Sequence, residues 1–302
     1  MKMGTKGKNE LENLKQALGQ SSELFKMVGI GSPLNEAEIL LSYILQLKRS
    51  EIYLNLGRVL STRERKKITR AIQKRLKNIP LQYITGHQEF MGMDFLVEPG
   101  VLIPRPETEI LVERVIERLK NKKFSSPLRV VDLGTGSGVI AISLAKFIKG
   151  IIIYAIDLSK KSLILASKNA SRLVDENRII FLYGDLFKPL KEGKIDQNSL
   201  DGIISNPPYV NLEDFKSLPR EIRENEPKRA LYGGVEGMDF YPKIIRQAPY
   251  FLKKGGFLAL EGGAGQAPKI KELILKEGHY KENIEIFEDY SGIERVVIAY
   301  RK

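Results

Sequence analysis

The chain has 302 residues, 42% of them apolar, which suits a sizeable buried core in two domains, or in one large domain with an appendage, and argues against global disorder. It contains no cysteine, which excludes disulfides, zinc–thiolate sites, iron–sulfur clusters and a thiol nucleophile together. The net charge of +12 is unevenly spread, with 16 Lys/Arg against 7 Asp/Glu in residues 1–88 and 33 against 30 in residues 89–302.

In chain order, Met1 to Asn9 carry positive charge with no apolar run behind them, and read as a disordered tail rather than a secretory signal. No run of about 20 apolar residues follows anywhere, so no membrane-spanning helix is expected and a cytoplasmic protein is. Residues 10–80 read as helices. Glu36 opens an apolar set, Ala37, Leu40, Leu41, Ile44 and Leu45, at helical spacing. Ser61 and Glu64 form a capping-box pattern ahead of a stripe made by Ile68, Ala71, Ile72 and Leu76. Arg63, Arg65, Lys66, Lys67, Arg70, Lys74 and Lys77 cover the rest of that helix, a face suited to solvent, to phosphate or to an acidic partner.

Pro80 ends the helical block, and Leu81 to His87 reads as a connector. Residues 89–97 read as two short strands around a turn. A helix from Thr108 follows, then Leu128–Leu133 as a strand, a glycine loop, a helix, and Ile151–Asp157 as a second strand. Further strands are expected at 179–182, 201–205 and 256–261. Short apolar strands alternating with helical patterns predict a parallel, doubly wound α/β sheet. Residues 284–287 and 295–300 flank a loop short enough for an antiparallel hairpin at the end. These readings divide the chain into an all-α domain over 1–88, a β-hairpin and linker over 89–107, and an α/β domain over 108–302. There is no internal repeat or low-complexity tract.

The loop after the first strand of the α/β domain reads Asp132-Leu133-Gly134-Thr135-Gly136-Ser137-Gly138. Glycines at alternate positions let the backbone turn tightly and let a ligand lie against it. Asp157 closes the next strand, where a carboxylate can accept hydrogen bonds from both ribose hydroxyls of a nucleoside. The G-x-G-x-G spacing differs from that of dinucleotide enzymes, whose pyrophosphate needs a helix N-terminus presented squarely to it. S-adenosyl-L-methionine carries no phosphate and fits this loop better. Asp185 is placed to reach the adenine amino group, with Leu186 against the ring. An exposed turn Asp beside a core Leu is the competing reading of that pair.

Ile203-Ile204-Ser205 runs into Asn206-Pro207-Pro208-Tyr209. Prolines at a strand end stop the ladder and fix carbonyl directions. The side-chain oxygen of Asn206 and the backbone carbonyl of Pro207 are candidates to accept the two N–H groups of a substrate NH2. That would orient a planar, weakly nucleophilic nitrogen and stabilise the charge that builds on it. Tyr209 and Pro208 are candidates to sandwich the flat group. A Pro-Pro turn with a surface Tyr is the alternative. His87 and His279, the only histidines, are assigned no role, and no metal site is expected.

Several of these segments together resemble the PrmC/HemK family, the release-factor glutamine N5-methyltransferases. They are Pro80 to Gly86, Glu89-Phe90, Ile103-Pro104-Arg105-Pro106-Glu107-Thr108-Glu109, the Asp132–Gly138 loop, Asn206 to Tyr209, Ala230 to Gly234, and Glu294 to Val296. The resemblance implies a seven-stranded Rossmann-like methyltransferase sheet preceded by a helical bundle that docks class 1 peptide chain release factors. It implies methyl transfer from S-adenosyl-L-methionine to the glutamine of their Gly-Gly-Gln motif. Gly134, Thr135, Gly136, Ser137, Gly138, Asp157, Asp185, Leu186 and Asn206 fall on cofactor positions, and Asn206, Pro207, Pro208 and Tyr209 on glutamine-binding ones. Leu186 stands where some members carry an aromatic. Arg105 and Glu107 are open between cleft contact and a salt-bridged hinge, and Tyr232 is read only as shaping a loop over the substrate. A monomer that does not require nucleic acid is expected. Three alternatives stand beside this reading: methylation of an exocyclic amine in RNA or DNA, of a glutamine in a ribosomal protein, or an RNA- or ribosome-binding module with a vestigial cofactor pocket.

Overall fold

The structure, a computed structural model, describes residues 11–121, 127–193 and 195–302; the expected N-terminal tail lies outside them. The chain divides into two compact units, the first ending at Gly86 and the second beginning at His87. Among the described residues no helix is long and apolar enough to cross a membrane.

The first unit consists of helices α1 (Leu14–Met27), α2 (Pro33–Leu45), α3 (Arg49–Leu54), α4 (Thr62–Leu76) and α5 (Leu81–Thr85). The capping box forms: the Ser61 hydroxyl accepts the Glu64 N–H at 3.2 Å, and the Glu64 carboxylate accepts the Ser61 N–H at 2.8 Å. Behind that cap, Ile68, Ala71 and Ile72 enter a core with Leu14, Phe25, Leu40 and Leu41. The sequence leaves Leu81–His87 as a connector, yet most of it is helix α5. Pro80 precedes it, where a missing N–H costs nothing, Leu81 buries into the same core, and Gly86 ends it at φ 79°. Arg75 also departs from its neighbours on α4. It is only 4% exposed, and its guanidinium grips the Glu36 carboxylate of α2 at 2.5 and 3.0 Å.

The second unit opens on an antiparallel hairpin, β1 (His87–Phe90) with β2 (Met93–Leu96). Met91 and Gly92 join them at φ 52° and 70°, the left-handed pair of a two-residue turn whose twist matches the strands. Helix α6 (Glu107–Asn121) leads to the main sheet, which holds β3 (Leu128–Leu133), β4 (Ile151–Asp157), β5 (Ile179–Tyr183), β6 (Leu200–Ser205), β7 (Leu252–Glu261), β8 (Glu285–Glu288) and β9 (Glu294–Tyr300). Their order is β5-β4-β3-β6-β7-β9-β8, parallel throughout except at β9, which is antiparallel to both β7 and β8. This is the doubly wound sheet with the antiparallel end that the strand pattern predicts, with the seven strands that the family resemblance implies.

Each central strand is apolar on both faces, as a sheet covered on both sides requires. Val130, Ile153, Ile204, Phe257 and Ile298 pack on one face with α6, α7 (Val139–Phe147) and Ala170 of α8 (Lys160–Leu173). Val131, Ile156, Ile203, Leu258 and Val297 pack on the other, with Leu190 of α9 (Lys188–Glu192), α13 (Tyr241–Phe251) and α14 (Ala267–Glu277). Gly202 in β6 lies beneath the Phe257 ring, and a Cβ there would run into it. Three short helices, α10 (Leu212–Ser217), α11 (Arg220–Asn225) and α12 (Lys228–Leu231), fill the long β6–β7 connection, for which the sequence offers no strong periodicity. The chain leaves β3 toward β4 on one side and pairs with β6 on the other. That reversal opens a crevice beyond the carboxyl ends of the strands.

Candidate active site

A cleft of about 210 Å³ lies at that crevice. Of the residues expected to bind cofactor, Gly134, Gly136, Asp157, Asp185, Leu186 and Asn206 line it. Thr135, Ser137 and Gly138 do not. The Thr135 side chain turns inward, its hydroxyl donating to the Asp132 carboxylate at 2.6 Å, and burial pushes Asp132 up to about 7. Ser137 gives its backbone carbonyl to the buried Asn169 amide at 3.0 Å. Gly138 packs against α7 and α8, where a Cβ would sit 2.8 Å from Ile142 and 3.1 Å from Ala166.

Gly134 and Gly136 behave differently. Both have positive φ, 78° and 56°, and a Cβ on either would meet no atom within 4 Å. It would project into the open cleft that both residues line, so the bare backbone is itself the floor. Asp157 stands beside it. One carboxylate oxygen accepts the Gly136 N–H at 2.9 Å and the other the Ser159 N–H at 2.7 Å. Those two bonds orient the group and leave lone pairs for a ligand diol. Burial raises the Asp157 carboxyl above its usual range, against the pull of those N–H groups and of Arg229. Leu186 sits at φ 45°, an uncommon conformation for this residue type, at the cleft wall.

On the facing side, Asn206, Pro207 and Pro208 line the cleft, whereas Tyr209 does not. The Asn206 Nδ2 donates to the Thr108 hydroxyl at 2.9 Å, which leaves Oδ1 as the free acceptor. Behind the motif, Gln266 Nε2 donates to the Tyr209 carbonyl at 3.0 Å. A Cβ at Gly233 would run into the Pro208 carbonyl, and one at Gly237 into the Tyr209 carbonyl. The whole tetrapeptide is therefore wedged in place. Tyr232 lies in that wedge, bridged through its backbone to Val210. Arg105 does not line the cleft. It pairs with the buried Glu226 at 2.5 Å, and Glu226 also accepts the Ile103 N–H at 3.1 Å. Of the two readings left open for Arg105, the ion pair is the one that forms; Glu107 also stays off the cleft wall.

Sequence reasoning passed over several residues at the cleft. Arg229 lines it and donates to Ser159 at 2.8 Å, and Phe240 and Val101 line it too. None sits in a local motif, so only the folding of the long connection brings them there. Glu261 carried a signal that could have been used: an acid closing an apolar strand ahead of Gly262-Gly263.

A glycine-floored groove meeting a proline-stiffened strand end, at the switch point of a sheet with an antiparallel last hairpin, places the chain among the Rossmann-like methyltransferases. Residues 106–234 match the family described as the methyltransferase small domain, and residues 16–86 the PrmC N-terminal domain. The chain is 39% identical over 289 residues to a release factor glutamine methyltransferase of Moorella thermoacetica, covering 96% of this chain and 99% of that one. It is 38% identical over 266 residues to a release factor glutamine methyltransferase of Bacillus cereus, covering 88% and 92%. A solved protein-(glutamine-N5) methyltransferase (release factor-specific) from Alicyclobacillus acidocaldarius is 29% identical, with a TM-score of 0.40, covering 69% of this chain and 99% of that one. The chain belongs to the release factor glutamine methyltransferase family.

Proposed function

We propose that the chain transfers a methyl group from S-adenosyl-L-methionine to the side-chain amide nitrogen of the glutamine in the Gly-Gly-Gln motif of class 1 release factors. The observation that carries this reading is the orientation of Asn206. Its NH2 is tied to Thr108 at 2.9 Å, and its oxygen is left to accept inside the cleft that Gly134, Gly136 and Asp157 also line. The open floor at the two glycines and the doubly held Asp157 suit a nucleoside with no phosphate. Gly134, Gly136, Asp157, Asp185 and Leu186 would hold the cofactor. When bound, S-adenosyl-L-methionine supplies an electrophilic methyl group on a sulfonium.

The chain's own residues do the rest by position. An amide nitrogen has its lone pair delocalised into the carbonyl. Accepting both of its N–H bonds, at Asn206 Oδ1 and the Pro207 carbonyl, fixes its plane and stabilises positive charge as it develops. In-line positioning of this kind supplies up to roughly 7–11 kcal/mol in the best intramolecular models. No strong base is needed, because the proton can leave once the nitrogen has been alkylated. Tyr209, held off the cleft wall, supports the strand end in this reading rather than stacking on the amide.

The helical unit is assigned the docking of the release factor, on the strength of the basic face of α4. Reversing Arg63, Lys67 and Lys74 to Glu should raise KM for the release factor severalfold and leave cofactor affinity unchanged. The decisive experiment incubates the protein and labelled cofactor with purified release factors and maps the modified residue. Label on the Gly-Gly-Gln glutamine, lost when that residue is replaced, supports the proposal. Turnover that depends on RNA or DNA instead, or label confined to a ribosomal protein, would replace the substrate.

A further inference from the structure

Glu261 is a buried carboxylate that the mechanism above does not use. It closes β7, is fully buried, and neither of its oxygens has a partner at full hydrogen-bond geometry among the described residues. The register explains where it lies. Ser205 pairs with Leu260 across the parallel strands β6 and β7, so the next positions along, Asn206 and Glu261, lie side by side at the carboxyl end of the sheet, with Glu261 still paired to Val296 of β9. The two hydroxyls that approach Glu261 are those of Thr108 and Tyr209. Thr108 is 2% exposed in the first turn of α6, and its oxygen is the acceptor for Asn206 Nδ2.

A threonine hydroxyl has one proton and two lone pairs. Here one lone pair is taken by Asn206, so the proton must point elsewhere. An ionised carboxylate can only accept. A Glu261 carboxylate that takes up that proton would set the direction of the Thr108 hydroxyl, and Thr108 would in turn set which end of the Asn206 amide faces inward. Without this bias the nearly symmetrical amide could turn over, presenting NH2 to a substrate NH2, which is repulsive. We propose that Glu261 and Thr108 form a positioning relay that holds the Asn206 amide with its oxygen toward the substrate. Neither residue touches the reacting atoms; both act through Asn206. Tyr209, at the far end of the same tetrapeptide, is the second hydroxyl that approaches this carboxylate. The relay deepens the reading of Asn206 as the amide-binding residue and rests on it.

Two readouts test the relay, and one of them needs no release factor. The first is steady-state methyl transfer by the full chain at mildly alkaline pH. Thr108→Val, which keeps the shape and removes the hydroxyl, should lower kcat roughly tenfold to hundredfold with KM for cofactor unchanged. Glu261→Gln, whose amide can also donate to Thr108 and reverse the chain of bonds, should fall in the same range. Thr108→Ser should recover most of the loss. The second is the side-chain amide resonance of Asn206 in protein labelled at asparagine with nitrogen-15. One amide proton should exchange slowly and lie downfield in the unsubstituted protein and in Thr108→Ser, and lose both properties in Thr108→Val. A folded Thr108→Val with kcat within twofold of the unsubstituted protein, or with an unchanged Asn206 amide signal, overturns the relay. If the unsubstituted protein methylates no release factor, the substrate reading falls, while the amide signal still decides the relay.

Discussion

The two walls of the cleft are built by opposite means. The wall assigned to the cofactor is made of backbone: two glycines with positive φ and open space where a side chain would be, and a carboxylate held by two N–H groups. The wall assigned to the glutamine is made of side chains in contact: Asn206 on Thr108, Gln266 on the Tyr209 carbonyl, and Glu261 buried behind them. A backbone floor is specified by a handful of consecutive residues. A side-chain wall draws on β6, β7, α6 and α14 and exists only once they have packed. The first tolerates little change at its glycines; the second tolerates little change in its hidden supports.

Five substitutions would break or sharpen this contrast. Asn206→Ala should lower the rate of methyl transfer about 10²–10³-fold, about 3–4 kcal/mol, while cofactor binding measured by calorimetry stays close to normal. A loss of cofactor affinity as large as the loss of rate would move Asn206 to the other wall. Glu261→Gln comes next, and its readout is stability against pH. Burial raises the Glu261 carboxyl from 4.5 to about 7, with Glu107 adding to the rise and Arg295 and the hydroxyls of Thr108 and Tyr209 opposing it. The folded chain thus keeps a proton that the unfolded chain releases near 4.5. The contribution of Glu261 is fully present below that pH and is lost as pH rises towards 7. Against Glu261→Gln, which has no proton to lose, the unsubstituted protein should lose up to about 3 kcal/mol across that window in urea unfolding. A constant difference between the two would mean that the carboxylate is solvated or paired.

Gly136→Ala and Gly138→Ala separate floor from packing within one loop. Both force a side chain to positive φ, at about 1–2 kcal/mol. Gly138→Ala adds an overpacking clash with Ile142 and Ala166 of about 1–3 kcal/mol and should show the larger drop in melting temperature. Gly136→Ala should show the larger loss of cofactor affinity. The reverse pattern would put Gly136 in the core. The smallest effect is expected for Asp157→Asn, a loss of about tenfold in cofactor affinity, near 1.4 kcal/mol, with stability little changed. An unaltered affinity would show that the acid serves only to brace Gly136 and Ser159.

Much of the second unit could be read ahead of its structure. The strands at 128–133 and 151–157 and the closing hairpin are local apolar patterns, and the glycine loop and Asn206–Tyr209 are contiguous motifs. Leu81–Thr85 reads as a connector because a five-residue helix has too few turns to show a period, and it forms here only because Leu81 finds a core to enter. The basic face of α4 was legible as charge, but Arg75 was not separable from it. Its burial depends on Glu36, 39 positions away, arriving from a neighbouring helix.

From the residues alone follow the period of each strand, the glycines that leave the cleft floor bare, and the Asn206–Tyr209 tetrapeptide at the end of β6, because each depends on neighbours in the chain. Tertiary structure alone decided that Thr108, Glu261 and Gln266 stand behind that tetrapeptide, that Arg105 pairs with Glu226, and that Thr135 turns its hydroxyl to Asp132 rather than to the cleft. Those outcomes depend on where distant segments meet across the sheet, and a hydrogen bond between residues far apart in sequence leaves no local pattern to read.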